Sequence, residues 1–137
     1  MNNCYQISNS KFWNAIQDDF ADNGGLYKLY CVDENKKPIK AERILKPDNK
    51  GILYIGKATK FLDRVITLKK ALSPDHISDN HDCGVRYKNL NALKIKFPYE
   101  DLWVKLIGCK EIDIAEIKLL TEYENEFGEL PPLNRNK

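Results

Sequence analysis

The chain has 137 residues, 42% hydrophobic and 31% charged, the balance of one compact globular domain with enough length to bury a core. No run approaches the roughly 18 apolar residues that a membrane span needs, and Met1–Tyr5 lacks the basic start and apolar stretch of a signal peptide, so a cytoplasmic protein is expected. The net charge of +2 neither requires nor forbids a polyanionic partner. The four cysteines, Cys4, Cys31, Cys83 and Cys109, are too far apart for zinc-ligand spacing and are expected as free, mostly buried thiols.

In chain order, Ser10 is placed to cap a helix to about Asp22, with Phe12, Trp13, Ile16 and Phe20 as its apolar side. Asn23-Gly24-Gly25 ends it, and Leu26 to Val32 reads as a strand. Asp33 to Gly51 is polar, holds Pro38 and Pro47, and reads as a long hairpin excursion. Ile52 to Ile55 is a short buried strand ended by Gly56, and Lys60 to Leu72 an amphipathic helix. Lys57, Lys60, Arg64, Lys69 and Lys70 cluster here, a pattern equally that of a solvated helix face. A polar loop is expected around Ser73-Pro74 and from Asn80 to Gly84. Alternation in Ala92–Phe97 and the run Leu102–Ile107 predict two more strands, and a last helix runs from about Asp113 to Phe127, stopped by Gly128 and Pro131-Pro132. The order predicts an α+β fold, an antiparallel sheet covered by helices.

The last helix contains an anomaly. At 100° per residue and relative to Ala115, the apolar positions Leu119, Tyr123, Phe127 and Leu120 fall at about 40°, 80°, 120° and 140°. Glu116 falls at about 100°, inside that arc. A carboxylate there needs compensation: a buried arginine, a metal ion or an active-site pocket. Arg64 lies at the edge of the apolar side of its own helix and is a candidate partner, although Lys69 intrudes on the same arc. In the two early strands Tyr27 shares a face with Leu29 and Cys31, and Tyr54 with Ile52 and Gly56, so hairpin pairing would set the two phenols side by side.

Gly-Leu-Tyr at 25–27, Leu-Tyr-Ile-Gly-Lys at 53–57, Arg64, Ala-Glu at 115–116 and Leu-Pro-Pro-Leu-Asn at 130–134 occur in this order. Together they resemble the GIY-YIG nuclease family over about Gly25 to Asn134. The resemblance implies a three-stranded antiparallel core, open to further strands, with flanking helices. Residues 1–24 would be an N-terminal helical extension and 33–51 an insertion between the motif strands, whose Lys36, Lys37, Lys40 and Arg43 are candidate nucleic-acid contacts. It also implies hydrolysis of phosphodiester bonds in DNA, with RNA as an alternative. Glu116 would hold one divalent cation, Mg2+ or Mn2+, and Arg64 would contact the phosphate. Of Tyr27 and Tyr54, Tyr27 is expected to activate or orient water. Lys57 and Asn134 match positions near the substrate or supporting the site. His81 is a further candidate, as base, phosphate contact or plain surface residue, whereas His76 reads as an ordinary loop histidine. Leu26 departs from the family's isoleucine, and the gap between motifs exceeds the family minimum. A domain this small implies a homodimer or partner protein for target selectivity. Two other readings share the residues: a nucleic-acid-binding module of the same fold without turnover, and a structural Arg64–Glu116 pair.

Overall fold

The computed structural model describes residues 3–20, 23–75 and 81–136. Four strands, β1 (Cys4–Gln6), β2 (Gly25–Cys31), β3 (Tyr54–Ala58) and β4 (Leu102–Gly108), form one sheet in the order β1-β4-β2-β3, every pair antiparallel. Among the described residues five α-helices accompany them: α1 (Phe12–Phe20), α2 (Phe61–Leu72), α3 (Asp82–Asn89), α4 (Asn91–Lys96) and α5 (Ile112–Phe127). The class is α+β, as expected.

Alternation divides β2 between two faces. Tyr27, Leu29 and Cys31 join Tyr5, Leu102, Val104 and Leu106 on the inner face, where α1, α2 and α3 add Phe12, Ile16, Phe61, Val65, Leu68 and Tyr87. In α2 the buried Phe61, Val65, Leu68 and Leu72 recur every three or four residues, which is why this segment lies on the sheet as a helix. Lys69, which interrupts that arc, turns outward: its Nζ donates to the Ile7 carbonyl and lies 5.1 Å from the centre of the Phe12 ring. On the opposite face, Leu120, Tyr123 and Phe127 of α5 pack on Ile52 and Ile55. Gly128, at φ +84, ends α5 in the left-handed region.

Four local expectations are corrected. Residues 92–97 lie in and just after α4 and are not a strand. β4 already has β1 and β2 on its two edges, and the Ala, Leu and Lys residues favour a helix. Leu93 and Phe97, four apart, turn to the core while Ile95 is left exposed. Of the loop expected from Asn80 to Gly84, Asp82, Cys83 and Gly84 start α3, because His81 caps that helix, and Asn80 lies outside the described residues. The N-terminal extension is not only helical, since β1 forms an edge of the sheet. Finally, Asn9 rather than Ser10 turns the chain into α1: its Oδ1 accepts the Lys11 N–H at 2.9 Å. The expected extension of that helix over 21–22 lies outside the described residues.

The 33–51 excursion is folded onto the body. Asp48 is buried, accepts N–H groups from Lys50 and Ile52, and accepts the Tyr123 hydroxyl at 2.8 Å. Arg43 is committed inward, to Glu129 at 3.0 Å and to the Leu130 carbonyl. It is therefore held away from the nucleic-acid role open to it in sequence. Lys40 pairs with Glu42 at the surface.

Candidate active site

β2 and β3 pair with Tyr27 opposite Gly56 and Leu29 opposite Tyr54. Tyr54 and Gly56 lie on the face that carries Tyr27, so the two phenols meet on a diagonal, with ring centres 5.9 Å apart. Gly56 makes this possible. A Cβ there would overlap the Tyr27 ring carbon and hydroxyl as well as the Tyr54 ring. Gly56 therefore lies inside β3 as a cradle for Tyr27, rather than ending the strand.

Arg64, on the first turn of α2, lies near enough to Tyr27 and Tyr54 for its charge to act on both phenols. Burial opposes its charge, but the two phenols outweigh that effect and hold its pKa above the ordinary arginine value. The pairing of Arg64 with Glu116 offered by sequence is not made: among the described residues the ion-pair partner of Glu116 is Lys57, at 3.9 Å. Lys57 is held more closely by Asp113, at 2.7 Å. Asp113 lies one helical turn before Glu116, and sequence reasoning passed over it.

Although α5 packs on the outer face, Glu116 comes within electrostatic reach of Tyr54 and Arg64. The Glu116 side chain is 17% exposed. Burial raises its pKa, Lys57 opposes the rise, Asp113 adds to it, and Arg64 opposes it. The side chain therefore holds a charge that its surroundings only partly compensate.

His81 is 2% exposed, which overturns its reading as a surface residue. Its Nδ1 accepts the Cys83 N–H at 3.2 Å, capping α3. Burial, then Arg64, lowers its pKa to about 4 against the pull of Asp82, so the ring is neutral at physiological pH. A neutral imidazole with an accepting Nδ1 carries its hydrogen on Nε2, which donates to the Tyr27 oxygen at 3.1 Å. Tyr27 thus receives a donor from His81, and the Arg64 charge also acts to lower its pKa.

Tyr27 is 1% exposed and Tyr54 is half-buried. Burial first, then the Tyr54 charge, hold the Tyr27 pKa well above 10. Burial also raises that of Tyr54, while Arg64 and the hydrogen bond from Tyr27 act to lower it. The phenol nearer to water is therefore Tyr54, whereas sequence reasoning gave that task to Tyr27.

Asn134 spends its amide on β3: Oδ1 accepts the Ile55 N–H and Nδ2 donates to the Ile55 carbonyl, both at 2.9 Å. It secures the strand edge between Tyr54 and Gly56 instead of facing a ligand. A cleft of about 1000 Å³ is lined by Lys57, Lys60, Lys110 and Arg64 together with Asp63, Glu111 and Asp113; of the four expected catalytic residues its lining holds Arg64, while Tyr27, Tyr54 and Glu116 lie outside it. His76 lies outside the described residues.

The described residues contain no helix long and apolar enough to cross a membrane, and all four cysteines are free, two of them buried. Comparison with family models, with curated proteins and with solved structures gives no match.

Proposed function

We propose that this chain is a divalent-metal-dependent endonuclease that hydrolyses phosphodiester bonds in DNA, with RNA as an alternative substrate for the same chemistry. One observation carries the reading: Tyr27 and Tyr54 pair across β2 and β3, Arg64 of α2 acts on both, and Glu116 of α5 lies within electrostatic reach of Tyr54 and Arg64, next to a cleft that Arg64 and the Glu116 partner Lys57 line. The order of the same residues in sequence resembles that of GIY-YIG nucleases and supports it.

Phosphodiester hydrolysis needs an aligned water, compensation of charge on the phosphate and help for the leaving oxygen. Glu116 suits one magnesium or manganese ion. Such hard cations take oxygen ligands, and magnesium often keeps several waters, so a single protein carboxylate suffices. Among the described residues no group of three His, Cys, Asp or Glu side chains builds a fuller cage. The bound ion would supply Lewis-acid stabilisation of the phosphate. Lys57 partly compensates Glu116, and Asp113, its closer partner, can retain the ammonium when the carboxylate is claimed.

Arg64 lines the cleft, stays charged at any working pH, and offers its planar fork to a phosphate. Tyr54, at the water side of the pair, orients the attacking water. Tyr27 lies behind it and passes on the donor influence of His81. The test is a magnesium-dependent assay over duplex, single-stranded, branched and RNA substrates, with Glu116→Gln as the blank. Cleavage in the wild type that disappears with chelator and in Glu116→Gln supports the reading. Equal cleavage in the variant would overturn it.

A further inference from the structure

The part of the outer sheet face over β2 and β4, away from Lys57 and Glu116, takes no part in the chemistry above. Lys28 and Tyr30 of β2 and Trp103 and Lys105 of β4 point away from the inner core. The register sets Tyr30 directly opposite Trp103, and Lys28 directly opposite Lys105. Helix α5 shields this face at Ile52 and Ile55, beside β3. The half nearer β4 is open enough that Lys105 is exposed and Lys28, Tyr30 and Trp103 are only half-buried.

Two features of this patch run against stability. Like charges directly opposite on neighbouring strands repel. Among the described residues neither Lys28 nor Lys105 is in an ion pair. Burial, then Lys50 and Lys105, lower the pKa of Lys28, outweighing the opposing pull of Asp48. In addition, the Trp103 indole N–H is buried without an acceptor among the described residues. A polyanion that also offers flat rings would answer the two lysines and the open faces of Tyr30 and Trp103, while the buried indole N–H lies beyond its reach.

We propose that this face binds single-stranded nucleic acid, with Tyr30 and Trp103 as the surface for bases and Lys28 and Lys105 as the phosphate contacts. The aromatic row and the lysine row are two residues apart, about 6.6 Å along the strands. Aromatic rings beside lysines on an open antiparallel sheet are suited to unpaired strands, because every base has a face to stack and every nucleotide carries a charge. An acidic protein segment would answer the lysines but give the aromatic pair no task. The patch lies on the side of the sheet opposite the Tyr27–Tyr54 pair, so it would hold a strand outside the catalytic cleft.

The chain has two tryptophans, so Trp13→Phe leaves Trp103 as the sole reporter. This variant is titrated with a fluorescein-labelled oligothymidylate in chelator, following tryptophan emission and label anisotropy together. The expected result is quenching of Trp103 on binding, with affinity at least tenfold weaker when Lys105→Glu is added. Lys105→Ala should reduce the salt dependence by about 0.7 in log–log slope, the loss of one single-strand phosphate contact. Adding Arg64→Ala should leave the quenching intact, because the cleft is a different surface. Unchanged Trp103 emission, wild-type affinity in Lys105→Glu, or loss of quenching in Arg64→Ala would each overturn the proposal. Equal binding of a duplex or of polyglutamate would overturn its single-strand assignment. Cleavage is read separately by product formation, so failure of this surface and failure of the nuclease reading are distinguishable.

Discussion

The His81 Nε2 lies 3.1 Å from the Tyr27 hydroxyl while Nδ1 of the same ring accepts the Cys83 N–H. One side chain thus joins the start of α3 to the buried end of the tyrosine pair. The cap sets the tautomer, and the tautomer makes His81 a donor to Tyr27.

This arrangement has a signature in acid. The folded-state pKa of about 4 lies below the ordinary 6.5 because burial, followed by Arg64, disfavours the charged ring. The unfolded chain therefore takes up the proton first. The stabilisation from a neutral His81 is complete above pH 6.5 and is lost as pH falls toward 4, by about 2–3 kcal/mol over the window. His81→Asn keeps a good capping side chain but not the reach to Tyr27. Urea denaturation at pH 7, 6, 5 and 4 should show the wild type losing more stability than His81→Asn. Parallel losses would remove the neutral, donating histidine.

Glu116→Gln should abolish cleavage and make the fold slightly more stable at neutral pH. The carboxyl pKa is raised, chiefly by burial, so the folded state prefers the protonated acid. That preference stabilises the fold fully below the unfolded value near 4.5 and is lost as pH rises through the folded value. The uncharged amide avoids the loss. A gain of at most about 1 kcal/mol is expected at pH 7 and none below pH 4. Thermal melts at both pH values test it, and a variant less stable than wild type at pH 7 would show that Lys57 fully compensates the charge.

The two tyrosines should separate in their effects. Tyr54→Phe removes the phenol nearer to water and should lower the cleavage rate about a hundredfold or more. Tyr27→Phe leaves the buried His81 N–H without its acceptor, costing about 1–3 kcal/mol of stability, with a smaller effect on rate. Single-turnover cleavage paired with denaturation curves distinguishes the variants. The reverse order of rate effects would return the water-facing role to Tyr27.

Gly56→Ala should both destabilise the protein and impair the site. Its methyl group would occupy the space of the Tyr27 hydroxyl and the edge of the Tyr54 ring, an overpacking cost of about 1–3 kcal/mol. Gly108→Ala, at the end of β4 where a Cβ would meet nothing within 4 Å, is the control and should be close to neutral. Equal melting temperatures for the two variants would contradict the cradle.

Much of this protein is written locally. The 3.6-residue recurrence of Phe61, Val65, Leu68 and Leu72 and of Leu120, Tyr123 and Phe127 specifies two helices and the sides they bury. The two-residue alternation through Tyr27, Leu29 and Cys31 specifies a strand and its inner face. Glu116 stood out as an acid on an apolar arc for the same reason: helical geometry alone places it there.

What tertiary structure decided is every choice between partners of similar chemistry. Period-two alternation at 92–97 met a sheet whose β4 edges were already taken, and the segment became α4. Arg64 had a carboxylate and two phenols to choose from, and the approach of α2 to the β2–β3 pair gave it to the phenols. His81 became a buried donor because α3 begins where the Tyr27 hydroxyl ends. Periodicity records which side of an element avoids water, but hydrogen bonds and charge pairs depend on distances of a few ångströms between segments far apart in the chain, and those exist only once the elements have packed.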